Sequence, residues 1–190
     1  MANALISFLR LFRDISDADA ELILNATESR SYKEDEYLFK GDTICSEMFF
    51  IADGVLRIMA FNEQGTEVTH FFLKSNQFCT ILNSFINQVK AYESICAACD
   101  TEVVVFKRTQ LYKLYTELPY LKPLIDSITN QALLDKIALR NAYLGQDSSA
   151  RYKTFMELQP EVALRVALSD VASYLGITPQ SLSRIRKKLH

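Results

Sequence analysis

The residues best suited to chemistry in this 190-residue chain lie near its C-terminal end, in LSDVASYLGITPQSLSRIRKKL, residues 168–189. The pattern predicts two helices joined by a tight turn. Ser169 is expected to cap the first, with Val171, Ala172 and Leu175 on its buried face. Gly176 suits the left-handed residue that ends it, Ile177 fills the space between the helices, and Thr178 caps the second helix with Pro179 at its first position. Leu182, Ile185 and Leu189 recur at helical spacing and face inward. Gln180, Ser181, Ser183, Arg184, Arg186, Lys187 and Lys188 remain on the outside.

That exposed set matches the chemistry of major-groove reading. Glutamine can bond adenine through two groups, arginine can fork onto guanine, and serine and lysine hold phosphates. In a helix-turn-helix the first residues of the second helix meet the bases, so Gln180, Ser181 and Arg184 are the expected readers. Lys187 and Lys188 follow as backbone contacts, and Ser169, Thr178 and Ser183 complete the DNA-binding set. The competing reading is an unrelated helical hairpin with a solvated basic face. Agreement of caps, turn glycine, plug and basic face favours the first. Charge does not separate the two readings: residues 1–150 carry 14 Lys/Arg and 20 Asp/Glu, net −6, whereas residues 151–190 carry 7 and 3, net +4. An acidic body with a basic end is the electrostatic footprint expected of a nucleic-acid-binding tail, and a solvated basic helix would look the same.

Other chemistry finds little support. The two histidines, His70 and His190, are too few for the ligand set of a metal-dependent enzyme built on a β-roll, and neither a Ser/His/Asp set nor a phosphate-cradling glycine loop occurs. The expectation is a protein that is not an enzyme and carries no cofactor and no metal. Cys45, Cys79, Cys96 and Cys99 read as reduced core residues. Cys96 and Cys99 have the CxxC spacing, but an expected strand would aim them at opposite faces, and a cluster needs four converging thiolates. A lone redox thiol stays open. The opening MANALISFLRLFRDIS is cut by Arg10, Arg13 and Asp14 and lacks a small-residue cleavage site, so it does not read as a signal peptide. No apolar run reaches the roughly 20 residues of a membrane span, which implies a cytoplasmic protein with no membrane partner.

The elements that must position the terminal motif follow from the rest of the pattern. Ser16, with Asp17 and Asp19 behind it, predicts a capped N-terminal helix. Short strands then alternate with turns from about Tyr37 to Leu73, with Asp53-Gly54 and Asn62-Glu63-Gln64-Gly65 expected as hairpins. A short helix over Leu82 to Ile86 and strands over Tyr92 to Ala97 and Val103 to Phe106 complete a small barrel or roll that ends near Lys107. Beyond Pro119 and Pro123 a long helix runs to about Leu144, with Leu121, Ile125, Ile128, Ala132 and Leu139 along one stripe. Two readings compete for it, a cap on its own roll or a dimer seam, and the length of the stripe favours the seam. Gly145, Asp147 and Ser148 mark a boundary. The expected fold is α+β: a β-roll with an N-terminal helix (residues 1–118), a dimerisation helix (119–145) and a small all-α helix-turn-helix domain (146–190).

This order of parts, from Gly41-Asp42 and Asp53-Gly54 through the long helix to the terminal motif, resembles the CRP/FNR family of bacterial transcription regulators over nearly the whole chain. The resemblance implies a cyclic-nucleotide-binding-type, jelly-roll sensor domain, a winged helix-turn-helix and a homodimer acting on inverted-repeat double-stranded DNA. Activation would further need a surface for RNA polymerase. Two departures stand out. Where cyclic-nucleotide-binding members carry Gly-Glu-Leu and then Arg-Ser, alignment on Phe78 and Glu102 puts Thr80-Ile81-Leu82 and Ala91-Tyr92 here. Both the carboxylate and the arginine are missing, leaving Lys90 as the nearest cation, so control by cyclic AMP is not expected; the alternatives are an unknown, apolar small-molecule effector, no effector, or regulation by the protein's own abundance. Iron-sulfur members use an N-terminal cysteine cluster, whereas the first cysteine here is Cys45. With the chain stopping just after the second helix, no C-terminal wing is expected; any wing would come from Glu161 to Ala167. The alternative function is a ligand-binding or interaction module without specific DNA binding.

Overall fold

Strands that are buried on both faces read as unbroken apolar runs, and this chain has two of them, MFFIA and VVVF, at the centre of one sheet. The computed structural model describes residues 2–189, and its elements are α1 (Ala2–Leu9), α2 (Asp17–Asn25), β1 (Glu28–Tyr32), β2 (Tyr37–Phe39), β3 (Glu47–Asp53), β4 (Val55–Phe61), β5 (Glu67–Lys74), β6 (Phe78–Cys79), α3 (Leu82–Asn87), β7 (Ser94–Ala97), β8 (Thr101–Lys107), α4 (Arg108–Glu117), α5 (Leu121–Ala142), α6 (Ser148–Leu158), α7 (Pro160–Arg165), α8 (Leu168–Leu175) and α9 (Pro179–Leu189). The strands form two antiparallel four-stranded sheets, ordered β1-β8-β3-β6 and β2-β7-β4-β5. The fold is the mixed jelly-roll and helix architecture that the pattern implies.

Alternation along the strands builds three cores. Phe49, Ile51, Val103 and Val105 of the first sheet meet Leu56, Ile58, Leu73 and Ile95 of the second inside the roll. Met48, Phe50, Val104 and Phe106 point the other way, against Leu5 and Leu9 of α1, Ile23 of α2, Leu111 and Leu114 of α4, and Leu121 and Ile125 of α5. From the second sheet, Val55 and Phe72 point outward into a core shared with Tyr152, Phe155, Val162, Val171, Leu175 and Leu182 of the C-terminal helices. Each such fully buried side chain contributes about 1.5–3 kcal/mol of burial free energy. The terminal helices are therefore packed on the roll through a continuous apolar layer.

Several local expectations change. Helix α1 went unread because its apolar residues were weighed only as a leader; Leu5, Ile6 and Leu9 seal the first sheet. Asp53-Gly54 is not a hairpin: β3 and β4 belong to different sheets, and Gly54, at φ +111°, is the corner between them. Asn62–Gly65 does close the β4–β5 hairpin, with the Asn62 carboxamide oxygen accepting from the amides of Gln64 and Thr66. The strand expected from Tyr92 starts at Ser94, and Cys99 lies beyond its end, so the CxxC pair does not share a strand. Ser16 caps α2, accepting from the Asp19 amide at 3.1 Å.

The corner carries a prediction. A Cβ on Gly54 would stand 2.3 Å from Thr101 Oγ1 and 2.7 Å from the Thr101 Cα. Thr101 cannot yield, since its hydroxyl donates to the Cys99 carbonyl at 2.8 Å and accepts from the Val55 amide at 3.2 Å. Gly54→Ala is expected to cost about 2–3 kcal/mol through overpacking and left-handed backbone strain, read as a lower urea midpoint with an unchanged slope.

Candidate functional site

The terminal motif folds as two helices around an apolar hinge. Val171, Ala172 and Leu175 of α8 and Leu182 of α9 are buried, with Ile177 and Ile185 packed at the edge of the same core. Gly176 takes the left-handed conformation at φ +67°, which lets the Ile177 amide reach the Ala172 carbonyl at 3.0 Å; Arg151 from α6 donates to the Leu175 carbonyl at 2.8 Å. Thr178 caps α9 by accepting from the Ser181 amide at 3.1 Å. The side chain of Leu189, expected to face inward, lies outside the described residues.

Within α9 the expected readers are placed unequally. At about 100° per residue, Gln180, Arg184 and Lys187 fall within roughly 60° of one another, opposite Leu182, with Ser183 and Lys188 flanking them. All five are exposed. Ser181 is half-buried and its hydroxyl accepts from Thr178 at 3.0 Å, so both hydroxyls serve the cap first. Arg186 is also half-buried, at the other edge of the stripe. Ser169 is exposed in the first turn of α8, but it is not the cap: the helix begins at Leu168, and the cap position, Ala167, has no side chain to offer. Residues 160–165, the stretch available for a wing, are helical.

Polar contacts hold this motif to the roll. Ser173 Oγ donates to the Glu67 carbonyl at 3.1 Å and accepts from the Thr69 amide at 2.9 Å, which joins α8 to β5. Arg57, 5% exposed on β4, pairs with Asp170 of α8 at 3.3 Å, with Asp35 at 3.4 Å and closely with Glu67. Burial pushes the Asp170 carboxyl above its ordinary value, against the opposing pull of Arg57. Arg165 forks onto Asp53 with bonds of 2.8 and 2.9 Å, and Lys74 meets Glu161 at 3.2 Å. Sequence reasoning missed this junction. Its one readable signal was Arg57, a charge inside an apolar strand.

A second candidate site opens between the roll and α5, a cavity of about 350 Å3. Thr80, Ile81, Leu82, Lys90, Ala91 and Tyr92, the six residues expected at the effector pocket, all line it. The helix supplies Thr129, Ala132, Leu133 and Lys136, none of which the effector-pocket reading included. The long helix itself turns its expected seam inward. Leu121 and Ile125 are buried against the roll, Ile128 packs beside them, Ala132 lines the cavity and Leu139 faces a cleft with Leu158 and Val162. Leu121, Ile125 and Ile128 are therefore taken up by the chain's own core. The apolar residues facing solvent are Leu133, Leu134, Ile137 and Leu144, exposed by 46, 58, 50 and 71%.

Among the described residues no group of three or more His, Cys, Asp or Glu is placed to hold a metal ion. Burial pushes the Cys79 thiol up to about 12 and raises that of Cys96, which opposes thiolate chemistry at either. No helix among the described residues is long and apolar enough to cross a membrane.

Residues 29–117, which hold strands β2 to β8 and helix α4, match the family model of the cyclic nucleotide-binding domain. A search of curated proteins finds no match to the chain. Solved structures extend the likeness beyond the cyclic nucleotide-binding domain. The c-di-GMP-responsive global regulator CLP of Xanthomonas campestris superposes with a TM-score of 0.71 at 16% identity, covering 92% of this chain and 91% of that one. FixK2 from Bradyrhizobium japonicum gives 0.71 at 20% identity, covering 86% and 84%. The catabolite activator protein of Thermus thermophilus gives 0.55 at 19% identity, covering 94% and 85%. Over 86–94% of its length the chain thus shares the fold of these solved structures, which is the architecture that the resemblance read from the sequence implies.

The junction between domain and motif is testable. Ser173→Ala leaves the Thr69 amide and the Glu67 carbonyl without their partner and is expected to lower stability by about 1–2 kcal/mol in urea unfolding. Ser169→Ala, exposed and not capping, is expected to stay within about 0.5 kcal/mol of the parent.

Proposed function

We propose that this chain is a sequence-specific DNA-binding transcription regulator that acts as a homodimer on inverted-repeat sites and does not respond to cyclic AMP. The observation that carries the reading is the geometry of α8 and α9: a glycine turn and a capped second helix, with Leu182 buried and Gln180, Arg184 and Lys187 aligned on the exposed face. That face suits a major groove, where Gln180 and Arg184 would meet base edges and Lys187 and Lys188 the phosphates. The fold shared with known regulators agrees with it. Dimerisation is assigned to Leu133, Leu134, Ile137 and Leu144, since an exposed apolar stripe on a long helix is the ordinary mark of a helix–helix contact. Independence from cyclic AMP rests on Thr80-Ile81-Leu82 and Ala91-Tyr92, which bring neither a carboxylate nor an arginine to the two motif positions on the cavity wall, and among the described residues no arginine lines the cavity.

Selection of bound fragments from randomised DNA, with purified protein at near-physiological salt and no added ligand, tests the reading. An enriched inverted repeat is the expected result. Binding that is blind to sequence would overturn it in favour of an interaction module. On the selected site Arg184→Ala is expected to lose about 1–3 kcal/mol, with little change on random DNA. Lys187→Ala is expected to weaken both and to reduce the salt slope by about one. In sedimentation, Ile137→Glu is expected to shift a dimer to monomer.

A further inference from the structure

The cavity between the roll and α5 has walls of unusual economy. Its apolar lining includes Ile58, Phe71, Phe78, Ile81 and Leu133. The hydroxyls of Thr80 and Ser84 are already engaged: Thr80 Oγ1 donates to the Glu47 carbonyl at 2.9 Å, and Ser84 Oγ donates to the Val89 carbonyl at 2.5 Å while accepting from the Cys45 amide at 2.8 Å. The backbone at Ala91 is engaged too, since its amide donates to the Thr43 carbonyl at 2.9 Å and its carbonyl accepts from the Asp42 amide at 2.7 Å. His70, Lys90, Tyr92 and Glu93 also line the cavity and form no side-chain hydrogen bond among the described residues, whereas Lys136 is the one cation that α5 adds to it. Lys136 reaches from α5 to the face of the Phe71 ring, with Nζ 5.4 Å from the centroid, and forms no ion pair among the described residues. Burial lowers its pKa, as expected for an ammonium with no carboxylate beside it. Lys90 and Glu93 bring one charge of each sign to the lining.

We infer that this cavity binds an amphipathic monoanion, a single carboxylate- or sulfonate-type head on an apolar or aromatic body, with Lys136 as the counterion and the body packed against Phe71, Phe78 and Ile81. A desolvated cation against an aromatic wall gains most from one compact anion, because each charge then stabilises the other away from water. A volume of about 350 Å3 fits a molecule of two to three rings or a short acyl chain. The ligand would touch both the roll and α5, so its place as an effector rests on the regulator reading above, while its binding does not.

Two fluorescent probes that share an apolar body and differ in charge test the inference on the full chain: 1-anilinonaphthalene-8-sulfonate and the uncharged N-phenyl-1-naphthylamine. Lys136→Met is expected to weaken the sulfonate probe by about tenfold or more and to leave the neutral probe within about twofold. Lys136→Arg should restore the sulfonate, and Ala132→Trp, which fills the cavity from α5, should weaken both. Thermal unfolding verifies that each variant is folded; if Lys136→Met is not, Lys136→Gln against Lys136→Arg makes the same comparison. Equal sulfonate binding with and without the charge would overturn the inference, as would parallel loss of both probes in Lys136→Met. Displacement of the sulfonate by micromolar cyclic AMP would overturn it as well. A protein that binds the sulfonate through Lys136 yet selects no inverted repeat would keep the cavity assignment and remove only the regulator reading.

Discussion

A buried guanidinium fixes where the terminal helices sit. Arg57 occupies an outward position on β4, where alternation would place an apolar residue under the covering helices, and it is desolvated by the same packing that brings Asp170 to it. Asp35 and Glu67 share the charge, so the pair is held in a small network. Taking such charges out of water is expensive, and the attraction between them offsets that cost only in one geometry. An apolar contact would tolerate sliding of α8 over β5; this network does not. The Ser173 bonds to the edge of β5 add direction to the same contact. Because α9 hangs from α8 through the Gly176 turn, the orientation of the Gln180–Arg184–Lys187 face relative to the roll descends from this one junction.

How much was legible in the sequence follows from which forces are local. Caps, turns and periodicity depend on residues a few positions apart, so Ser16, Thr178, Gly176 and the two helices around it could be read directly. The order of strands could be read because turn residues punctuate it. Sheet membership could not. Whether Asp53-Gly54 folds a hairpin or turns a corner depends on whether β3 pairs with β4 or with β8, and the latter pairing joins residues as far apart as Glu47 and Lys107. The Ser169 cap failed for a smaller reason. A helix start two residues earlier satisfies the same hydrophobic face and leaves the serine inside the first turn.

The long helix shows a different limit. Its periodicity is real, and the stripe it marks is the face that packs on the chain's own roll. Leu121, Ile125 and Ile128 form the inner face, used by the roll, and Leu133, Leu134, Ile137 and Leu144 form another, turned to solvent. A one-dimensional pattern finds the stripe with the cleaner spacing and is silent on what covers it. The cavity residues divide in the same way. Thr80 to Leu82 and Lys90 to Tyr92 could be placed by alignment within the roll, whereas Lys136 belongs to a helix more than 40 residues downstream and enters the cavity only through packing.

Strand β5 ties these parts together. Its pairing with β4 is shifted between Ile58 and Met59, so that Phe71 and Thr69 are the successive partners and His70 is left over as a bulge. Thr69 receives Ser173 of α8, while His70 and Phe71 line the cavity against α5. Within three residues the strand therefore contacts both α8 and the cavity against α5. Such adjacency is not itself coupling, because a ligand can change the terminal helices only by as much as it binds their docked and undocked arrangements differently. What the structure supplies is the short path: Phe71 at the cavity and Thr69 at α8 stand two residues apart on one strand, beside the buried Arg57 pairs of its neighbour.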